Sequence, residues 1–378
     1  VYKAVASLEK VTDLVNNKSY KKTAEKKKIL FGICGISNGH CSRQLPIIKH
    51  LLEEGNEVLV FTYGDGLRYF KNRIPEDASF TIIPVENPYY VGTPQGLDFE
   101  LTAKSDKNSV DFVRINSLAM HRAAEEFGNL DLVISDYEMV AAQYAYTKNI
   151  PLVTLDQQSK YLVGDFSPVL NGTSYTDEVE RLNLFFPKAE KRIAVSFFRV
   201  EKNNRETDCN VEVFSPMIRP EVLEAKGISQ SDNPSILVYV TAQQLGDQPI
   251  EDWINTIQAA LPKHCEAHLF LPQRIELPKN SSHLSFYHHG DSRFDPLLFA
   301  SHGIVTTAGH NLLSEAMYLE KPVFALPLPL YEQQLNAHII EEGGFGLSRP
   351  SLCVEELRTF LTNLDAYSKN IIEDKKYL

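Results

Sequence analysis

The sequence reads as an α/β protein of two Rossmann-like halves facing each other across a cleft, and three observations predict this. Short apolar runs alternate with amphipathic helical stretches along most of the chain. The alternation is broken by a stretch at 214–234 that contains Pro216, Pro220, Gly227 and Pro234 and reads as a linker. The length, 378 residues, exceeds what one hydrophobic core usually serves, so two domains of ordinary size are expected.

The elements follow in order. Residues 1–28 stand apart: Val11, Leu14 and Val15 mark a short amphipathic helix running into a basic stretch, Lys21 to Lys28. The plainer reading is a solvated lead-in helix. The sharper one is peripheral contact with an anionic membrane surface at the inner membrane face. The core begins at Ile29, where Ile29–Cys34 is an apolar run typical of a strand buried on both faces. A turn at Gly35–Gly39 leads into a helix from His40 to about Glu54, with Leu45, Ile48, Leu51 and Leu52 on one face and Gly55 as its stop. Val58–Phe61 completes a βαβ unit. Strands at 80–83, 130–136 and 151–155 and helices at 110–127 and 140–148 continue the pattern, which argues for a parallel sheet covered on both faces. Residues 86–108, with scattered Pro, Gly and Tyr, are expected to form a long loop.

A second unit starts near Pro234, with strands at 235–240, 267–271, 284–287, 303–306 and 322–326. Its helices fall at 249–261, 310–319 and 331–342. The domain reading is therefore 1–28, 29–213, a linker at 214–234, 235–352, and a helical segment at 353–378.

Composition bounds the function. A chain 43% hydrophobic and 23% charged is an ordinary soluble globular protein. A net charge of -11 argues against a dedicated nucleic-acid binder, but not against small anionic ligands held by clustered N–H donors. The five cysteines, Cys34, Cys41, Cys209, Cys265 and Cys353, form no C-x-x-C pair, so neither a disulfide framework nor a zinc site is indicated. That fits a reducing, cytoplasmic setting. No signal-peptide pattern and no run of about 18 apolar residues is expected to direct or anchor the chain.

Two stretches carry chemistry. In Thr306-Thr307-Ala308-Gly309-His310-Asn311, a strand ends in a small-residue turn and a helix starts at once. Free N–H groups and the positive end of the helix dipole make such a turn a site for pyrophosphate. Glu315, about one turn further on, can accept two hydrogen bonds from a ribose diol. Thr241-Ala242-Gln243-Gln244, after the first strand of the second half, borders the same phosphates. The other stretch is Gly39-His40-x-x-Arg43 at the first strand-to-helix turn. A histidine titrates near neutrality and can take a proton from an attacking hydroxyl. The plainer readings are a turn at Gly309, a dipole-compensating acid at Glu315, and helix-capping or phosphate-binding roles for His40 and Asp136. His288-His289 reads as a loop near a bound base rather than a metal pair.

The second-half segment resembles the donor signature of nucleotide-sugar glycosyltransferases, including the plant secondary-product enzymes and the bacterial peptidoglycan N-acetylglucosaminyltransferase. Gly309, Asn311, Glu315, Pro322, Pro327, Glu332, Gln333 and Asn336 match its pattern, with one extra residue before Glu332 and Thr307 in place of the signature's opening histidine. The chain is more similar still to a group of bacterial and archaeal predicted glycosyltransferases. It shares Gly-His-x-x-Arg, Ile134-Ser135-Asp136-Tyr137-Glu138, Leu155-Asp156-Gln157-Gln158 and Pro216-Met217-Ile218-Arg219-Pro220-Glu221, a match over residues 29 to about 348.

The resemblance implies a GT-B fold, with an acceptor-binding half at 29–213 and a donor-binding half at 235–352. It implies His40 as general base with Asp136 orienting it, and Gly39, Arg43 and Gln157 on the acceptor side, Arg43 departing from the usual proline. The implied donor contacts are Thr241, Thr307, Ala308, Gly309, His310, Asn311 and Glu315, with Glu332 and Gln333 on the transferred sugar. The co-substrate is a nucleotide sugar, UDP-linked by family habit, the partner an unidentified hydroxyl acceptor, and no cofactor or metal is expected. D-x-D, the metal-holding pair of the other major transferase fold, does not occur. Two rivals are a UDP-N-acetylglucosamine 2-epimerase of the same fold and a non-catalytic partner subunit.

Overall fold

A computed structural model describes residues 26–36, 38–77, 79–201, 210–227, 234–241 and 249–374. The expected lead-in helix at 11–15, Cys209 and the Ala242-Gln243-Gln244 turn lie outside the described residues. The described residues form two compact units. One takes the chain up to Val169 together with Ser174–Ser196 and Val200–Arg219, and the other takes Leu170–Thr173, Phe197–Arg199 and the chain from Pro220 on.

The first unit opens β1 (Lys28–Ile33), α1 (Gly39–Glu53), β2 (Glu57–Thr62), α2 (Asp65–Lys71), β3 (Phe80–Pro84). The expected loop at 86–108 is instead a hairpin, β4 (Val91–Thr93) and β5 (Gly96–Asp98), followed by α3 (Phe99–Lys104). Its signals are local. Gly96 supplies the φ of 122° that the turn needs, and Asp98 caps α3 by accepting from Leu101 N. Then come α4 (Phe112–Phe127), β6 (Leu132–Asp136), α5 (Met139–Lys148), β7 (Leu152–Asp156), the short β8 (Val169–Leu170) and β9 (Thr173–Ser174), α6 (Tyr175–Phe185), β10 (Lys191–Val195) and β11 (Val211–Phe214).

The main sheet runs β11-β10-β7-β6-β1-β2-β3, parallel throughout. Alternate residues of each strand go to opposite faces, and both faces are buried. Ile29, Phe31 and Ile33 pack with Cys41, Ile47, Ile48 and Leu51 of α1 and Tyr69 and Phe70 of α2. Leu30, Leu59, Phe61 and Val133 pack on the other side with Ala119, Ala123 and Phe127 of α4, Val140 and Ala141 of α5 and Leu182 and Phe185 of α6. Each of these larger side chains contributes roughly 1.5–3 kcal/mol by leaving water.

The second unit comprises α7 (Pro220–Glu224), β12 (Ser235–Tyr239), α8 (Ile250–Ala260), β13 (Glu266–Leu271), β14 (Leu284–His288), α9 (Phe294–Ala300), β15 (Gly303–Thr306), α10 (His310–Tyr318), β16 (Val323–Ala325), α11 (Tyr331–Glu342), β17 (Gly346–Ser348), α12 (Val354–Thr362) and α13 (Leu364–Glu373). Its parallel sheet runs β14-β13-β12-β15-β16-β17. Ile236, Val238, Leu269, Val305 and Phe324 pack against Trp253 and Ile257 of α8 and Leu357 and Phe360 of α12. On the opposite face Phe270 meets Phe294 of α9 edge-on at 5.1 Å.

Both sheets reverse their winding once: between β1 and β6 in the first unit, and between β12 and β15 in the second. In open α/β sheets, ligands bind beyond the carboxyl ends of the strands at such a reversal. The two chemistry-bearing stretches lie there, Gly39–Arg43 and Asp136 after β1 and β6, and Thr241 and Thr307–Asn311 after β12 and β15. Among the described residues, no helix is long and apolar enough to cross a membrane.

Candidate active site

In the first unit the register pairs Ile33 with Asp136, so the ends of β1 and β6 lie side by side. Cys34 N donates to Asp136 O across that seam at 3.0 Å. The chain then turns into α1, whose first turn returns His40, Arg43 and Gln44 to Asp136. His40 Nδ1 lies 2.8 Å from Asp136 Oδ1. Arg43 donates through Nε to Oδ2 at 2.9 Å and through Nη2 to Oδ1 at 2.6 Å. Gln44 Nε2 donates to Oδ2 at 2.7 Å and to Leu155 O at 3.0 Å, which ties the cluster to the end of β7. The carboxylate thus accepts from four donors. Asp136 is 1% exposed and Arg43 4%.

Electrostatics follow from that packing. Burial alone would raise the pKa of Asp136, but the Arg43 guanidinium and the His40 ring reverse this and hold the carboxyl well below its usual range. For His40, burial opposes protonation, yet the Cys34 sulfur and the Asp136 carboxylate outweigh it and hold the imidazole above its ordinary value. Burial would raise the Cys34 thiol, and His40 lowers it. Each of the two groups therefore acts on the other's titration. The Cys34 sulfur also meets Tyr63 Oη at 3.2 Å.

The turn after Asp136 is strained. Tyr137 adopts a φ of 57°, which costs a non-glycine residue on the order of 1–3 kcal/mol. Its ring lies nearly parallel to that of His40, 13° apart with centroids at 6.5 Å, and its hydroxyl donates to Glu178 Oε2 at 2.9 Å. The turn also lets Glu138 cap α5, accepting from Val140 N and Ala141 N, both at 2.8 Å. Burial nonetheless pushes the Glu138 carboxyl up to about 7. Gly35 is obligatory at the neighbouring turn, because a Cβ there would lie 1.7 Å from Tyr63 O.

Gly39 is the first residue of α1, and its carbonyl accepts from Ser42 Oγ at 2.9 Å. Gln157 follows β7 and is buried. Lys160 Nζ donates to its Oε1 and, at 3.0 Å, to its backbone carbonyl. Gln157 Nε2 has no partner among the described residues.

In the second unit, Thr307 and Ala308 are buried where β15 ends, and Gly309 is the N-cap of α10 with no side chain capping it. Among the described residues, a Cβ on Gly309 would meet only Thr307 Oγ1, at 3.9 Å. Asn336 of α11 donates to Ala308 O at 2.9 Å and Ser314 Oγ to His310 O at 2.7 Å, so the turn is braced from both sides. His310 is buried with its ring edge-on to Phe197 at 5.6 Å, and Asn311 Oδ1 lies 3.4 Å from its Nδ1. Glu315 is 7% exposed in the second turn of α10. Glu332 is half-buried at the start of α11. Gln333 Oε1 accepts from Leu328 N at 2.9 Å, so that oxygen holds the β16–α11 loop. Thr241 is the last described residue after β12. The rings of His288 and His289 each set Nε2 against a backbone carbonyl, Ile275 O and Phe270 O, and His289 stacks on Tyr239 at 4.3 Å.

Within the first unit, then, the expected His40, Asp136 and Arg43 form one cluster, and Gly39 and Gln157 flank it. Sequence reasoning missed Gln44, Cys34 and Tyr137. Only Tyr137 carried a signal, as neighbour of Asp136 in the Ser-Asp-Tyr-Glu segment.

The family model described as Glycosyl transferase family 1 matches residues 27–365. A Methanosarcina mazei protein described as an uncharacterized glycosyltransferase is 25% identical over 93% of this chain and 91% of its own length. A Methanosarcina acetivorans protein of the same description is 24% identical over 84% of each. Among solved structures, the calicheamicin glycosyltransferase CalG4 superposes with a TM-score of 0.60 at 16% identity, over 92% of both chains. The UGT2 of Phytolacca americana, complexed with UDP-2-fluoroglucose and pterostilbene, superposes with a TM-score of 0.62 at 14% identity, over 93% of this chain and 94% of that one.

Proposed function

The chain belongs to glycosyl transferase family 1 and is a glycosyltransferase of GT-B fold, and from that premise we propose that it inverts the anomeric centre of a hexose-type sugar while moving it from a UDP-linked donor to a hydroxyl acceptor. The acceptor belongs to glycan, glycolipid or glycoconjugate synthesis, the setting is cytoplasmic, and no metal takes part. The single observation that carries this reading is the His40 Nδ1–Asp136 Oδ1 contact at the winding reversal of the first sheet. With Nδ1 on the carboxylate, Nε2 is the ring atom that takes the acceptor's proton. The competent form is the one in which the imidazole is neutral.

The acceptor oxygen attacks the anomeric carbon, the bond to the diphosphate breaks, and the nucleoside diphosphate leaves. The uncapped start of α10 at Thr307–Asn311 stabilises its charge through N–H donors and the helix dipole, work that a metal does elsewhere. Glu315 holds the ribose diol, and Gln157, fixed through Oε1 by Lys160, supports the acceptor side. The UDP-sugar analogue bound to the Phytolacca enzyme supports a UDP-linked donor here.

The test is a melting experiment with UDP, UDP-glucose and UDP-N-acetylglucosamine, each with chelator and with magnesium. Ligand at ~100 times its dissociation constant stabilises by ~2.7 kcal/mol, and this is expected with chelator present. A shift seen only with magnesium refutes the metal-free reading. Epimerisation of UDP-N-acetylglucosamine without acceptor refutes transfer.

A further inference from the structure

Nη2 of Arg43 lies 3.0 Å from His40 Nδ1, while the same Nδ1 lies 2.8 Å from Asp136 Oδ1. A ring nitrogen offers one hydrogen or one lone pair, so it can form only one of these bonds. A guanidinium always donates and an ionised carboxylate always accepts. Nη2 already gives a hydrogen to Oδ1 at 2.6 Å, so Nδ1–H donating to Oδ1 is the assignment that leaves no lone pair against the carboxylate. Arg43 is then a fixed positive charge beside the N–H edge of the ring.

We infer that Arg43 is a positioning residue that acts on the protonation state of His40: the Asp136 carboxylate selects the Nδ1–H tautomer, and the Arg43 charge restrains the ring from holding a second proton. This rests on His40 being the base. Without the guanidinium, imidazolium would be the main counter-charge of the buried Asp136, and the ring would hold its proton to a higher pH. With it, Asp136 is already matched by a bidentate partner and still accepts from the ring. Like charges close together disfavour the charged form.

The groups that bear on this ring come from every side. Cys34 and Tyr63 follow β1 and β2. Asp136 ends β6 and Tyr137 follows it, and Glu138 acts on Tyr63. Asp156 ends β7 and meets the cluster through the charges of Asp136 and Arg43. Arg43 is the cation that the geometry places in contact with the ring.

The experiment is an imidazole ¹⁵N titration of the full-length protein, wild type against Arg43→Met and Arg43→Lys. Alongside it runs the pH dependence of UDP release from UDP-glucose in water. In Arg43→Met, His40 should titrate at least one pH unit higher, a tenfold change in its proton affinity, and the acid limb of the rate should move by the same amount. Arg43→Lys keeps the charge without the fork and should shift less. It also serves if the methionine variant fails to fold. An unchanged His40 titration in a folded variant overturns the inference. If His40 shifts and the rate profile does not, Arg43 acts as stated and the base reading of His40 is what fails.

Discussion

Asp136→Asn is isosteric, yet it should be among the most destabilising single changes in the first unit. Four donors converge on the carboxylate, two on each oxygen. An asparagine offers one oxygen, and its amide would face two of those donors. Gln44 can fall back on Leu155 O, but Arg43, 4% exposed, would lose the charge that its fork now meets. Breaking a buried ion pair from one side costs about 3–5 kcal/mol. At about 2–4 °C per kcal/mol for a domain of this size, melting should fall by about 6–20 °C. The companion double variant, Asp136→Asn with Arg43→Met, removes the stranded charge and should recover part of the loss, a coupling that a double-mutant cycle reads directly. The pH dependence has a fixed sign. The folded-state pKa of Asp136 is depressed, so its stabilisation is present above the unfolded value of about 3.9 and fades as pH falls below it. Asp136→Asn should lack that acid-side loss. Melting within about 1 kcal/mol of wild type, or a double variant no more stable than Asp136→Asn, would refute the account.

Other outcomes follow from the same geometry. His40→Ala should lower turnover by ~10²–10⁴-fold with little change in UDP affinity; collapse of UDP affinity in a folded variant would make His40 a phosphate ligand. Because Cys34 and Asp136 hold the His40 pKa above its ordinary value, wild-type kcat/KM should climb with pH through and beyond about 6.5; a rate already flat at pH 6 contradicts it. Glu315→Ala should weaken UDP binding by about 1.5–3 kcal/mol in titration calorimetry, the worth of hydrogen bonds to a charged group, without shifting the melting of the first unit. Gly35→Ala must displace the Tyr63 carbonyl and should abolish soluble expression or lower melting by more than about 3 kcal/mol.

The parallel sheets were legible because strands alternating with helices call for handed, unknotted crossovers. His40 was legible at the first strand-to-helix turn, and Asp136 as its partner through the family resemblance. The Arg43–Asp136 fork was not, since the residues lie 93 positions apart and nothing local in an Arg predicts which acid it meets. Residues 86–108 were misread because strands of three residues are too short to show an alternating period. For α6 and β11, aromatic and charged residues on half-exposed surfaces blur the periodicity, and in β10 the charged pair Lys191-Arg192 hides a strand that is otherwise buried. The φ of Tyr137 could not be foreseen either, because it is imposed by the turn between β6 and α5.

The central position of β1 also bears on how the chain is made. Ile29 pairs on one side with Val58, which leaves the ribosome soon after it, and on the other with Leu132, which does not. Until β6 arrives, a nascent chain carries β1 as an open edge of Ile29, Leu30, Phe31 and Ile33, the kind of edge that seeks strands of other chains. A stalled or truncated product ending before β6 therefore has a sticky seam where the finished protein has its His40–Asp136 contact, and chaperone demand during synthesis should peak over that interval.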